Sequence, residues 1–327
     1  MTVSESSIRR LLAEQHPVAA DIRQIAADAG LDVGRIVFQG SAENMWFNVL
    51  EEAAKHRSVD RILQAARSAA ALRVHTAVIL TALEVEYQAV RSHLGEIQER
   101  THLGTVYETG RFPAAAPIWR VSVAEIGPHN PGAASAAERA LSYFKPSVIL
   151  LVGIAGGLKD VAIGDVVCAT KVYGYESGKE TPDGFRPRPI VFNTSAALLS
   201  RARAEKRRWN REARALSVLT TFRVFDGPIA AGEKVVASSL SSTAILLREN
   251  YSDALAVEME GVGFLAAAHA SQAACMVIRG ISDLLDRKSE ADAIGSQEIA
   301  SHNAALIAFR MLAGLGRGRA DDPSSAD

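Results

Sequence analysis

The sequence predicts an α/β domain preceded by a small all-α domain. Apolar segments rich in valine and isoleucine recur from about residue 75, and alanine-rich helical stretches separate them. Strands without polar alternation, separated by helices, are typical of a mostly parallel sheet covered on both faces. Residues 1–70 instead carry apolar side chains at helical spacing and little strand signal.

Four helices are predicted in the N-terminal part. Ser6 or Ser7 precedes the first, Pro17 suits the first turn of the second, Gly30 follows its end, and Ser41 begins the third. The apolar stripes are Ile8, Leu11 and Leu12; Ile22, Ile25, Ala26 and Ala29; Trp46, Phe47, Leu50, Ala53 and Ala54; and Val59, Ile62, Leu63 and Ala66. These stripes predict a small helical bundle, near the lower size limit for an independent core.

The α/β domain is expected to span about residues 75–315. The predicted strands are 74–83, 119–126, 147–155, 165–173, 216–225, 254–259 and 275–281. Alanine-rich helices are predicted at 132–144 and 261–273, and the last residues, 316–327, have the composition of a disordered tail.

Composition excludes several classes of protein. Of 327 residues, 48% are apolar, and the formal net charge is −1, which gives no reason to expect nucleic-acid binding. Cys168 and Cys275 lie in apolar runs and are interpreted as core residues in a reducing compartment rather than as a disulfide. Neither a signal-peptide core nor a membrane-length apolar segment is present, so a cytoplasmic protein is expected.

One segment, residues 201–214, is strongly basic. It contains seven arginine or lysine residues and two glutamates. Two interpretations stay open: a solvated helix face, or a patch that faces an anion.

Acidic residues follow three predicted strands. Glu84 and Glu86 follow the first, Glu258 and Glu260 end the AVEME segment, and Asp283 ends VIRGISD. Ligands of parallel sheets bind at the carboxyl ends of strands, where a glycine-rich segment, 153–157, is also expected. That segment could be a plain tight turn and Asp283 a helix N-cap. Together, however, the acids suit a site that binds hydroxyl groups and moves protons.

The sequence lacks the standard signatures of other enzyme classes. It contains no G-x-S-x-G nucleophile elbow, no H-E-x-x-H zinc motif and no cluster with metal-ligand spacing. We therefore expect neither a metal nor a cofactor.

Residues 75–315 resemble the nucleoside phosphorylase superfamily, and most closely its hydrolytic branch, the methylthioadenosine/S-adenosylhomocysteine nucleosidases. The resemblance rests on four ordered segments: TALEVEY, SVILLVGIAGGLKDVAIGDVV, AVEME and VIRGISD. It implies a three-layer αβα sandwich around a mixed, partly barrel-like sheet.

The resemblance also implies the roles of individual residues. Asp283 protonates or hydrogen-bonds purine N7, Glu86 positions and activates the attacking water, and Glu260 accepts hydrogen bonds from the ribose hydroxyls. Further substrate-binding positions are Met259, Gly156, Ile154, Ser282 and Arg279. Ile154 stands where short nucleosidases often carry serine.

Hydrolysis is favoured over phosphorolysis. The phosphate-binding glycine and arginine loop that purine phosphorylases carry after their first strand is missing, because TALEVEYQAV has neither residue type before Arg91.

The N-terminal part resembles the effector-associated domains of bacterial conflict and signalling proteins, through residues 26–38 and 41–56. Those modules are adaptors that pair with like modules on partner proteins.

The sequence thus predicts a helical adaptor followed by a purine nucleoside N-ribosyl hydrolase that acts on a nucleoside or nucleotide, in a homodimer. Two alternatives stay open. One is a conflict-system effector that hydrolyses ATP, AMP or NAD, which Arg186, Arg188 or the 201–214 cluster near the 5′ end would favour. The other is a non-catalytic nucleoside sensor that signals through residues 1–70.

Overall fold

A computed structural model of the chain describes residues 5–16, 19–71, 75–112, 119–216, 222–285 and 295–315. These residues form two compact units, one helical and one α/β. Pro17 and the predicted tail, 316–327, lie outside the described residues. Among the helices of the described ranges, none is both long and apolar enough to cross a membrane.

The first unit is a four-helix bundle. Its helices are α1 (Glu5–Gln15), α2 (Ala19–Asp28), α3 (Ala42–Lys55) and α4 (Val59–Ala71), with a 3₁₀ turn at Val33–Arg35. Ser41 caps α3, since its Oγ accepts a hydrogen bond from the Asn44 N–H. The fully buried Trp46 centres the core and donates from Nε1 to the His16 carbonyl at 3.2 Å.

Phe47 departs from the predicted apolar stripe. Its side chain is 43% exposed, and the Arg9 guanidinium lies over its ring. Phe47 lies about 100° around α3 from the buried Trp46, on the solvent side of the apolar stripe.

The α/β unit contains twelve strands and six helices among its described residues. The strands are β1 (His75–Thr81), β2 (Gly95–His102), β3 (Thr105–Phe112), β4 (Trp119–Glu125), β5 (Val148–Gly157), β6 (Val166–Gly174), β7 (Gly178–Thr181), β8 (Gly184–Pro187), β9 (Ile190–Asn193), β10 (Val224–Ala231), β11 (Ala256–Glu258) and β12 (Ala274–Leu284). The helices are α5 (Glu84–Arg91), α6 (Asn130–Phe144), α7 (Ala196–Leu216), α8 (Ser242–Asn250), α9 (Gly261–His269) and α10 (Ser296–Leu315).

The large sheet is mixed and partly closed. Its strand order is β11-β10-β6-β12-β5-β1-β4-β3-β2, and β9 pairs with β6. β11 pairs with both β10 and β5, which closes five strands into a barrel-like ring. The parallel pairs include β12–β5, β5–β1 and β1–β4, whose carboxyl ends therefore share one edge.

Helices cover both faces of the sheet. The apolar cluster on one face includes side chains of α6 and α9, and that on the other includes side chains of α5, α7 and α10. α6 and α9 approach closely, because a Cβ at Gly263 would overlap with the backbone of Asn130. The three layers confirm the predicted fold class, although the sheet contains more antiparallel pairing than the apolar runs indicated.

Several predicted boundaries are wrong. For the strand predicted at 216–225, residue 216 ends α7, residues 217–221 lie outside the described residues, and the observed strand starts at Val224. This strand continues past Pro228, which has no backbone N–H to donate. The strand tolerates it because the register with β6 shifts at this point, between Gly227 and Ile229. β2 is unpredicted because it is a polar strand at the end of the sheet, without an apolar run.

Candidate active site

Three predicted site residues lie at the shared carboxyl edge of the parallel strands. Asp283 is near the end of β12, Gly156 is near the end of β5, and Glu86 lies in the first turn of α5, just after β1. The acids predicted at the end of the first strand are therefore helical, and Glu84 is exposed whereas Glu86 is buried.

Glu86 is held by backbone N–H groups. Its Oε2 accepts from the N–H groups of Ala82 and Leu83 at 2.6 and 3.0 Å, and its Oε1 accepts from the N–H of Ile154 at 2.8 Å. Burial raises the pKa of Glu86, while the Arg279 guanidinium and these three N–H groups oppose the rise. A carboxyl with a raised pKa is a stronger base than an exposed one.

The VEME segment places two more carboxylates at the site. Glu258 ends β11 and accepts from the N–H groups of Glu260 and Gly261 at the start of α9. Glu260 accepts from the His129 N–H at 3.0 Å. Between them, Met259 is half-buried. Burial raises the pKa of Glu258, Arg279 opposes that rise, and the nearby Glu260 adds to it.

Arg279 joins the three carboxylates. Its side chain is 0% exposed. Nη2 donates to Glu258 and, at 2.7 Å, to Glu260, while Nη1 lies 3.8 Å from Glu86 Oε1. Burial acts to lower the pKa of Arg279, but the carboxylates outweigh it and raise the pKa. Nε and Nη1 are buried and make no hydrogen bond within the described residues.

Gly153 makes this arrangement possible. It pairs with Arg279 across β5 and β12, and a Cβ at this position would overlap with both the Glu86 carboxylate and the Arg279 guanidinium. Glycine is thus required for close approach, although the residue was not among the predicted site positions.

Gly156 and Asp283 face each other as strand partners. The glycine-rich segment belongs to β5 up to Gly157, and Asp283 lies within β12, so neither the tight turn nor the helix N-cap is observed. Asp283 Oδ2 is 3.5 Å from the position of a Cβ on Gly156. Ser282 Oγ donates to Asp283 Oδ1 at 2.7 Å, which orients the carboxyl group.

Sequence reasoning missed the loop before α6. His129 has a positive φ of 84°, its backbone N–H bonds Glu260, and its Nδ1 lies 3.1 Å from Glu233. Asn130 donates to Glu233 and accepts from the Gly263 N–H. The position of this loop, directly after a predicted strand, is the signal that could have identified it.

The basic segment does not face this edge. Arg203 and Lys206 form ion pairs with Asp226, near the start of β10. The site lies beyond the other end of β10, where the Gly232 N–H donates to the Glu258 carbonyl. Within the described part of α7 the solvated-face interpretation therefore holds. Arg186 is exposed on β8 and pairs with Asp183, and Arg188 is also exposed.

Comparison with known proteins identifies the family. Residues 76–313 match the family model described as "Phosphorylase superfamily". The chain belongs to the phosphorylase superfamily. Residues 1–75 match a second model, "Effector-associated domain 1", so both predicted resemblances are confirmed.

Members of the superfamily with related sequences are named nucleosidases. The chain is 29% identical over 262 residues to the ATP nucleosidase Cap17 of Escherichia coli strain KTE188, covering 72% of this chain and 50% of that protein. It thus spans about half the length of that relative. It is 26% identical over 250 residues to a 5′-methylthioadenosine/S-adenosylhomocysteine nucleosidase of Chromohalobacter salexigens, covering 73% and 97% of the two chains.

Solved structures share the fold. The corresponding nucleosidase of Neisseria meningitidis, in complex with methylthio-immucillin-A, has a TM-score of 0.61 at 21% identity, over 74% of this chain and 100% of that one. Futalosine hydrolase of Helicobacter pylori has a TM-score of 0.61 at 22% identity, over 73% and 97%.

Among the described residues, no group of three or more histidine, cysteine, aspartate or glutamate side chains could hold a metal. The carboxylates are instead bound to backbone N–H groups and to Arg279.

Proposed function

We propose that this protein is a purine nucleoside N-ribosyl hydrolase that releases adenine. The observation that carries the proposal is the convergence of Glu86 and Glu260 on one buried arginine, Arg279, at the sheet edge where Asp283 also lies. Relatives named nucleosidases, which are hydrolases of N-glycosyl bonds, support the reaction type.

The acids divide the chemistry between them. Glu86 orients a water and takes its proton as the water oxygen bonds to C1′. The C1′–N9 bond breaks, its electron pair goes to the purine, and a proton held on Asp283 passes to N7. The transition state is oxocarbenium-like, so it needs an acid for the leaving base and a base for the water.

The remaining site residues bind the substrate. Glu260 accepts the ribose hydroxyls, and Arg279 supplies N–H groups that no protein atom takes among the described residues. Met259 packs against the nucleoside, and Ser282 orients Asp283. Ile154 and Gly156 contribute the β5 backbone beside the ribose and the base, and a Cβ added at Gly156 would make an ordinary contact with Asp283 Oδ2, at 3.5 Å.

A nucleotide is the second candidate substrate. It is favoured by the relative named an ATP nucleosidase. Because the chain spans half of that protein, the nucleotide activity stays a separate proposal.

We also propose that residues 1–70 bind a protein partner and that the α/β unit forms a homodimer in the cytoplasm. Leu11 and Phe47, on the packed helices α1 and α3, are large apolar side chains left exposed in the helical unit. Exposed apolar side chains that form one patch are typical of a protein interaction surface.

The test is adenine release from methylthioadenosine, S-adenosylhomocysteine, AMP, ATP and NAD. Release from the first two substrates supports the proposal. Release from ATP alone supports the second candidate, and absence of release from all five contradicts both. Glu84→Gln, an exposed acid on the same helix, is the matched control for Glu86→Gln.

A further inference from the structure

His129 has a backbone conformation that is unfavourable for a residue with a side chain. Its φ is 84° and its ψ is 144°, a region that glycine enters freely and that other residues avoid because a Cβ crowds the backbone there. The residue is the N-cap of α6, but its side chain makes no capping hydrogen bond to that helix. Contacts with other segments therefore hold His129 in place, and residues held in this way cluster at functional sites.

The backbone conformation of His129 directs its N–H at Glu260, the carboxylate proposed to bind the ribose hydroxyls. This N–H donates to Glu260 Oε1 at 3.0 Å, and Arg279 Nη2 donates to Glu260 Oε2 at 2.7 Å. Each oxygen thus has a fixed donor, and a carboxylate oxygen can accept a second hydrogen bond from a substrate hydroxyl. The orientation of Glu260 depends on the His129 backbone as well as on Arg279.

Glu233 supplies contacts that hold His129 and the next residue. Glu233 Oε2 lies 3.1 Å from His129 Nδ1, and Glu233 Oε1 accepts from Asn130 Nδ2 at 2.8 Å. An ionised carboxylate only accepts, so Nδ1 carries the proton and donates it. Asn130 in turn accepts from the Gly263 N–H at 2.9 Å, in the first turn of α9, which follows Glu260. One carboxylate from the loop after β10 thus anchors two consecutive residues of the loop before α6.

The backbone around Glu233 is itself fixed. Its N–H donates to Glu176 Oε2 at 2.9 Å, and the N–H of Gly232 donates to the Glu258 carbonyl at 3.1 Å. The Glu233 side chain is nevertheless 42% exposed, and that of His129 is 50% exposed. Neither side chain belongs to the buried core, so we expect substitutions at both positions to leave the fold intact.

We propose that Glu233 is a positioning residue that sets the preference for ribose over deoxyribose. It acts through His129, because the Glu233 carboxylate holds the strained His129 backbone and that backbone holds Glu260 against the ribose hydroxyls. Without this support His129 relaxes to a more favourable φ, and its N–H turns away from Glu260. The inference rests on the proposed function and specifies how its ribose site is held.

The experiment compares methylthioadenosine with its 2′,3′-dideoxy analogue, which lacks the hydroxyls that Glu260 would accept. The readout is the ratio of kcat/KM for methylthioadenosine to that for the analogue, with circular dichroism as the check on folding. In Glu233→Gln an NH2 group replaces one of the two acceptors, so we expect the ratio to fall about tenfold.

Two substitutions of His129 separate its backbone from its imidazole. His129→Ala keeps a Cβ and loses the contact with Glu233, so the ratio should fall as in Glu233→Gln. His129→Gly should keep the ratio within about twofold, because glycine adopts a φ of 84° without a crowded Cβ. Glu233→Gln added to His129→Gly should lower the ratio by less than Glu233→Gln alone, since both act on one backbone. Glu249→Gln, at an exposed glutamate of α8, is the matched control and keeps the ratio.

The outcomes separate this inference from the proposed function. An unchanged ratio in Glu233→Gln, with adenine still released, overturns the inference alone. An equal fall in His129→Gly and His129→Ala also overturns it, since the imidazole rather than the backbone would then be responsible. An unchanged ratio in Glu260→Gln contradicts the proposed ribose contact, and absence of adenine release by the unaltered protein contradicts the proposed function. Either of these last two results contradicts this inference as well.

Discussion

Nη2 of Arg279 donates to the Glu260 carboxylate at 2.7 Å, while Nη1 of the same guanidinium lies 3.8 Å from Glu86. One buried cation therefore lies between Glu260, which is proposed to bind ribose, and Glu86, which is proposed to activate water. Glu258 binds the same Nη2. Since three carboxylates share one guanidinium, the spacing and the charge of the cluster both depend on Arg279.

Replacing Arg279 by methionine tests this dependence. We expect the free energy of unfolding to fall by about 3–5 kcal/mol, because the change leaves buried carboxylates without their cation. Glu258→Gln in the same background should recover part of the loss, since it removes one of those charges. Denaturant unfolding monitored by circular dichroism measures both effects. A loss below about 1 kcal/mol, the usual size for an exposed ion pair, would contradict this account.

The effect of Glu86→Gln on thermal stability should depend on pH. Burial holds the folded-state pKa of Glu86 above its usual value of about 4.5, so folding favours the protonated form. The stability of the unaltered protein therefore falls as pH rises through that folded pKa, and the variant lacks this loss. We expect the Tm difference, variant minus unaltered protein, to increase as pH is raised above about 4.5. A difference that decreases as pH rises toward about 4.5 and then stays constant would show that Arg279 depresses the pKa instead.

Asp283→Asn separates proton donation from binding. The amide keeps the shape and the contact with Ser282 but cannot protonate the purine, so kcat should fall by roughly 10²–10⁴. Binding of a nucleoside, measured by calorimetry, should change little. Turnover close to that of the unaltered protein would exclude the proposed role.

Gly153→Ala tests the close approach of β5 to the cluster. The added Cβ would overlap with the Glu86 carboxylate and the Arg279 guanidinium, and such overpacking costs about 1–3 kcal/mol. We expect lower stability and a larger relative loss of kcat. Gly95→Ala is the control, since its added Cβ meets only the Arg111 carbonyl oxygen at 3.9 Å. Equal activity in the two variants would contradict the argument.

Buried elements were predictable from their apolar sequences. The core strands β1, β4, β5, β6 and β12 and the bundle helices each carry a periodic or continuous apolar signal. β2 and α7 are largely polar because solvent covers much of them, so hydrophobic patterning indicates them poorly. α10 is apolar on most faces, and its position against the sheet follows from tertiary packing rather than from a single stripe.

The site residues also divide into those that the sequence indicated and those that only the structure reveals. Strand ends and the resemblance indicated Glu86, Glu260, Arg279 and Asp283. Sequence alone did not reveal that Gly153 opens space for two side chains, or that the backbone N–H of His129 binds Glu260. Both facts depend on contacts between segments that are far apart in the chain.

The identity of the second product tests the central claim most directly. In the proposed function Glu86 lies where the nucleophile reaches C1′, and a carboxylate there repels phosphate but orients water. Methylthioadenosine should therefore yield adenine and free methylthioribose at a rate independent of added phosphate. Formation of methylthioribose 1-phosphate in proportion to the phosphate concentration would contradict the account.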